Sequence, residues 1–120
     1  MHQQQIAELL ERIETVRRAE EWKVGRLHKL QPIQLHMLMY LSRCNRYSDS
    51  PAAVAAYFQL TKGTVSQSLK VLEKRGFMTR QPDPEDGRRQ HLMLTETGKE
   101  VVSQTHPPNI FQQLALPEGE

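Results

Sequence analysis

The chain has 120 residues and a formal charge of +2, with 38% hydrophobic and 25% charged residues, which is the make-up of one globular domain with a modest core rather than a disordered or fibrous protein. No apolar run approaches the roughly 20 residues that span a bilayer, Met1-His2-Gln3-Gln4-Gln5 lacks a secretory apolar region, and the single Cys44 excludes an internal disulfide. A cytoplasmic protein without a membrane partner is expected. Between Thr61 and His91, seven Lys/Arg stand against four Asp/Glu, so positive charge gathers in one segment as phosphate binding requires.

From Gln5 to Trp22, the residues Ile6, Leu9, Leu10, Ile13 and Val16 recur at steps of three and four, predicting an amphipathic helix that Gly25 ends or bends. Pro32 suits the first position of a second helix, and Ile33 to Leu41 is apolar almost all round, which places that helix inside the domain. Ser50-Pro51 signals a third, two-turn helix with Val54, Tyr57 and Phe58 as its buried edge. Gln59-Leu60-Thr61 then leads to a fourth helix, capped by Thr61 and Gly76, with Leu60 and Val65 placed as a hydrophobic staple. Val65, Leu69 and Leu72 form its dry face. Phe77–Gln81 and Arg88–Leu94 read as two strands around the turn Pro82–Gly87, and Thr95 caps a last helix to about Gln104, stopped by Pro107-Pro108.

The short helix, tight connection and half-polar helix form a helix-turn-helix, whose second helix lies in the DNA major groove. Thr64, Ser66 and Gln67 are hydrogen-bonding side chains of the length that reaches base edges, and Lys62 and Lys70, with Lys74 behind them, are placed for phosphates. The hairpin suits a wing, with Arg88 or Arg89 entering the minor groove, Arg80 touching the DNA backbone, and Asp86 pairing with an arginine to stiffen the tip. Asp83, Glu85 and Asp86 read as a polar turn, not a metal site. No glycine-rich phosphate loop, HExxH, CxxC pair or nucleophile elbow is present, so neither an enzyme nor a cofactor is expected.

Leu60 to Gly76 resembles the recognition helix of MarR-family regulators, Asp83 to Arg89 their wing, Leu94-Thr95-Glu96-Thr97-Gly98 the start of their next helix, and Leu30 to Leu38 their second helix. The resemblance spans roughly Gln31 to Val102. It implies a mainly α fold with a small β-hairpin (α+β): a winged helix-turn-helix of three core helices plus wing, flanked by N- and C-terminal dimerisation helices. The division expected is a single domain over 1–120, with a dimerisation helix at 1–30, a DNA-binding lobe at 31–94 and a C-terminal helix and tail at 95–120. The resemblance also implies a homodimer on double-stranded DNA with a pseudo-palindromic operator, acting as a repressor released by a small-molecule effector. Family members dimerise through the N-terminal helix and two long C-terminal ones. Pro107-Pro108 departs from that pattern, so the dimer is expected to rest on Gln5–Trp22, the last helix and the cluster Ile110–Leu116.

Three alternatives stand beside this reading. A winged helix also serves as a protein–protein module without specific DNA binding. His36 resembles a ligand position of zinc-responsive members, to be completed by His106 and by Glu20, Glu21 or His28. Cys44, at the end of the second helix, is a candidate redox sensor.

Overall fold

The structure, a computed structural model, describes residues 2–106; Pro107-Pro108 and the cluster Ile110–Leu116 lie outside the described residues. In chain order the elements are α1 (Gln3–His28), α2 (Pro32–Arg43), α3 (Pro51–Phe58), α4 (Lys62–Lys74), β1 (Met78–Pro82), β2 (Gln90–Leu94) and α5 (Glu96–Ser103). No described helix is long and apolar enough to cross a membrane.

α2 is the hub. It packs against α1, α4, α5 and β2, so Leu35, Met37, Leu38, Met39, Tyr40 and Leu41 are all buried. Its capping box is built from glutamines: the Gln31 N–H donates to Gln34 Oε1 at 2.9 Å. Val54, Leu69 and Leu72 complete the centre at 0% exposure. β1 and β2 form an antiparallel pair in the register Met78↔Leu94 to Pro82↔Gln90.

α1 extends six residues past Trp22, and Gly25 does not end it. Gly25 is buried where the chain doubles back, because a Cβ there would lie 3.2 Å from the Leu30 carbonyl oxygen. The helix stops in a Schellman motif, with Lys29 left-handed at φ 55° and the Leu30 N–H donating to the Gly25 carbonyl at 2.8 Å. α3 ends the same way through Gln59, at φ 54°, and α4 through Gly76, at φ 81°. Two of these three left-handed positions carry no glycine. Arg75 caps α1 from a distance: its guanidinium donates to the Lys29 carbonyl at 2.8 Å and to that of His28, where the helix dipole favours a cation.

The third helix departs from expectation at Tyr57, which is 58% exposed and leans on Tyr40 with ring centroids 4.7 Å apart. The apolar stripe of α1 is only partly covered by the described residues: Leu9, Ile13 and Val16 are half-buried, while Ile6 is 43% and Leu10 60% exposed.

Candidate nucleic-acid interface

α4 presents one dry and one wet face. Val65, Leu69 and Leu72 are buried, while Lys62, Thr64, Gln67 and Lys70 are exposed and Ser66 is half-buried. The Thr61 hydroxyl accepts the Thr64 N–H at 3.2 Å and donates to Thr64 Oγ1 at 2.9 Å, so the Thr64 hydroxyl keeps its own proton to donate outward. No acid occupies the first turn of α4, which leaves its N-terminal dipole open to an anion.

The wing folds differently at its tip from the sequence expectation. The return strand starts at Gln90, so Arg88 and Arg89 belong to the turn. The cause is Asp83, whose carboxylate accepts the amides of Glu85 at 2.8 Å and Asp86 at 3.0 Å, while its own N–H donates to the Arg89 carbonyl at 2.8 Å. Asp86 is not ion-paired to an arginine among the described residues; its carboxylate accepts the Arg88 backbone N–H at 3.1 Å. The arginines themselves part company. Arg89 donates to the Arg46 carbonyl at 2.7 Å, and Arg88 is exposed with no side-chain partner among the described residues. Arg80 is mostly covered and lies 3.3 Å from Glu73 on α4, binding β1 to that helix.

α4 and the wing face each other across a cleft of about 560 Å³ lined by Lys62, Ser66, Arg88, Arg89 and Tyr47. Tyr47, 73% exposed, was not singled out in the sequence; an aromatic beside Arg46 in an otherwise polar loop was the available signal. That loop is fastened to the wing. The Leu92 N–H donates to the Asp49 carbonyl at 3.0 Å, and His91 lies between two carboxylates: Nδ1 is 2.8 Å from Asp49 Oδ1, and Nε2 is 2.7 Å from Asp83 Oδ2. Hydrogen bonding to Asp83, then to Asp49, pushes the His91 imidazole up from its ordinary value. The bond from His91, helped by the amides of Glu85 and Asp86, holds Asp83 down to about 2. Sequence reading missed this group because Asp49 and His91 are 42 residues apart.

Of the remaining candidates, His36 meets one carboxylate, with Nε2 3.4 Å from Glu21 Oε2. Among the described residues no three or more His, Cys, Asp or Glu stand together as a metal site. Burial, then the nearby Asp49, pushes the Cys44 thiol up, away from the thiolate that oxidation requires.

A family model described as the MarR family matches residues 28–89. The solved structures similar to this chain include the transcriptional regulator Tm0710 from Thermotoga maritima, at 29% identity and TM-score 0.76 over 86% of this chain and 71% of that one. They also include Staphylococcus aureus MepR bound to ethidium bromide, at 25% identity and TM-score 0.67 over 91% and 76%. The MepR–DNA complex, at 24% identity and TM-score 0.67 over 91% and 76%, is alike in fold. No curated protein matches the chain in sequence.

Proposed function

Because the chain belongs to the MarR family of DNA-binding transcriptional regulators, we propose that it is a dimeric, sequence-specific repressor of the cytoplasm whose contact with duplex DNA is made by α4 and the wing. The observation that carries this reading is the cleft between them, where Lys62, Arg88 and Arg89 converge beside an exposed polar helix face. A phosphate strand fits that chemistry, with Lys62 and the acid-free first turn of α4 on one wall and arginines on the other. Thr64, Ser66 and Gln67 read bases, Gln67 having the geometry to pair with adenine N6 and N7. Lys62 and Lys70 hold phosphates. Arg88, whose side chain has no partner among the described residues, is the wing's minor-groove residue, while Arg89 and Arg80 hold the wing in place.

The exposed Ile6 and Leu10 of the α1 stripe support the dimer, since a second chain packed there would bury them. Two recognition helices one DNA turn apart, about 34 Å, then select a pseudo-palindromic operator. A mostly apolar cleft of about 510 Å³ between α1 and the start of α2, lined by Trp22, Gly25, Leu30 and His36, is the candidate effector site. MepR bound to ethidium bromide supports a small-molecule effector for this chain. Trp22 is the single tryptophan, so its fluorescence reports occupancy directly.

The test is binding to random-sequence duplex across a salt series, with sedimentation to give the mass. Micromolar binding by a dimer, falling steeply with salt, is expected. A folded dimer that ignores DNA at low salt would turn the winged helix into a protein-interaction platform.

A further inference from the structure

We propose that His91 is a positioning residue whose protonation holds the wing in its DNA-binding posture: as an imidazolium between Asp49 and Asp83 it locks the hairpin to the α2–α3 loop, and its deprotonation frees the wing. The proposal rests, for its effect on DNA, on the reading of the α4–wing cleft given above.

The geometry argues from hydrogens. A neutral imidazole has one N–H and one lone pair, whereas the imidazolium has two N–H groups. Both ring nitrogens of His91 lie within 2.9 Å of carboxylate oxygens, which only accept. Two donors are therefore needed, and loss of either proton sets a nitrogen lone pair against a carboxylate at hydrogen-bond distance. The group is well placed for control. Asp49 belongs to the loop and Asp83 starts the wing turn, where it also gathers the amides that shape the tip carrying Arg88. Without the imidazolium, two carboxylates stand face to face near the DNA-facing cleft, so steric freedom and added negative charge both weaken phosphate binding.

Among the described residues, α2, packed on β2, carries Tyr40, whose hydroxyl donates to the Ser48 carbonyl, together with His36, paired with Glu21, and Arg43 at its end. Arg46 and Cys44 from the loop side, and Lys99 from α5, line the open cleft of about 850 Å³ that His91, Asp49 and Asp83 share. The adjacent α3 contributes Tyr57 as its one titratable residue, and Arg80 of β1 is engaged with Glu73. None of these supplies His91 with a second acceptor or takes its place between the aspartates.

Because the folded imidazole is raised above its ordinary 6.5, the clamp is complete below that value and is lost as pH rises through the folded one. Asp83, held low, keeps its charge until far more acidic conditions.

The experiment has two independent readouts on the 120-residue chain. The first is the affinity for a labelled random-sequence duplex from about pH 6 to about pH 9 at fixed ionic strength. Wild type should weaken by about three- to tenfold across that range. His91→Gln should bind like the high-pH wild type throughout, with a flat profile in this region, whereas Asp49→Asn, whose amide can donate to a neutral His91 ring nitrogen, should keep the clamp at high pH and so lose the weakening. The second is nitrogen-15 NMR of the histidine rings with amide exchange at Arg88–Gln90. His91 should carry two ring protons at neutral pH, and protection of those amides should fall as it titrates. An equal pH slope in wild type and His91→Gln overturns the proposal, as does a His91 ring with one proton at neutral pH. If no duplex binds at any pH, the DNA function fails instead. The clamp is then decided by amide exchange: protection that follows His91 upholds it, and protection indifferent to pH overturns it.

Discussion

Gly98→Ala would place a methyl group where the fold leaves no room for one. Gly98 is buried in the first turn of α5, where its N–H donates to the Thr95 hydroxyl at 3.1 Å. A Cβ there would stand 2.1 Å from the Phe77 carbonyl oxygen, 3.2 Å from its carbon and 3.3 Å from Leu94 Cδ2. Ordinary contact begins at 3.4 Å, so α5 and the strand entry would have to part by about 1 Å. The obstructing oxygen accepts the Thr95 N–H at 3.1 Å, and the Thr95 hydroxyl donates to the Gly76 carbonyl at 2.6 Å, so the same displacement strains two hydrogen bonds. Alanine's helix preference returns about 1 kcal/mol. Overpacking costs about 1–3 kcal/mol or more, and each weakened hydrogen bond about 1 kcal/mol. The net loss is about 2–4 kcal/mol. Gly63→Ala is the control, because that glycine lies in the first turn of α4 with nothing within 4 Å of the added carbon. It should gain about 0.5–1 kcal/mol. Urea unfolding followed by circular dichroism, at one protein concentration since a dimer's stability depends on it, compares the three proteins. Gly98→Ala as stable as wild type, or both variants moving the same way, would refute the packing argument.

Gln59→Gly should stabilise the protein by about 1 kcal/mol in the same assay, since it relieves a left-handed residue at φ 54°; no gain would show that the loop, not the helix end, sets that backbone. Gln67→Ala should relax sequence preference, costing about 1–3 kcal/mol at one base pair, and an equal loss on operator and random DNA would count against base reading. Arg88→Ala should lower the slope of log affinity against log salt by about 1 while leaving stability unchanged. Arg89→Ala should also reduce thermal stability, because its guanidinium holds the Arg46 carbonyl; identical behaviour of the two variants would erase the distinction drawn between them.

Much of the fold was legible because it depends on neighbours along the chain. The caps Ser50, Thr61 and Thr95 act on amides three residues away, at 3.1–3.2 Å, and the Val65/Leu69/Leu72 stripe is a matter of helical period. What escaped the sequence turns on partners brought from elsewhere. Gly25 looked like a helix stop because glycine often ends helices; its actual role is to admit the Leu30 carbonyl. Lys29 and Gln59 adopt left-handed conformations that composition does not announce, because the packing of the next segment outweighs a local backbone cost of about 1 kcal/mol.

The candidate interface divides the same way. Residue type and spacing alone determined that Thr64, Gln67 and Lys70 lie away from the dry face of Val65, Leu69 and Leu72, since a helix of known phase leaves them no alternative. Tertiary structure decided which wing arginine is free, because Arg89 finds the carbonyl of Arg46, 43 residues away, and Arg88 finds none among the described residues. It also decided that Arg80 serves Glu73, and that His91 joins the loop to the wing through Asp49 and Asp83. Periodicity reports which way a side chain points from its own helix or strand. Only the folded chain determines what that side chain meets, because the meeting depends on the relative placement of elements that the core, and not the local sequence, fixes in space.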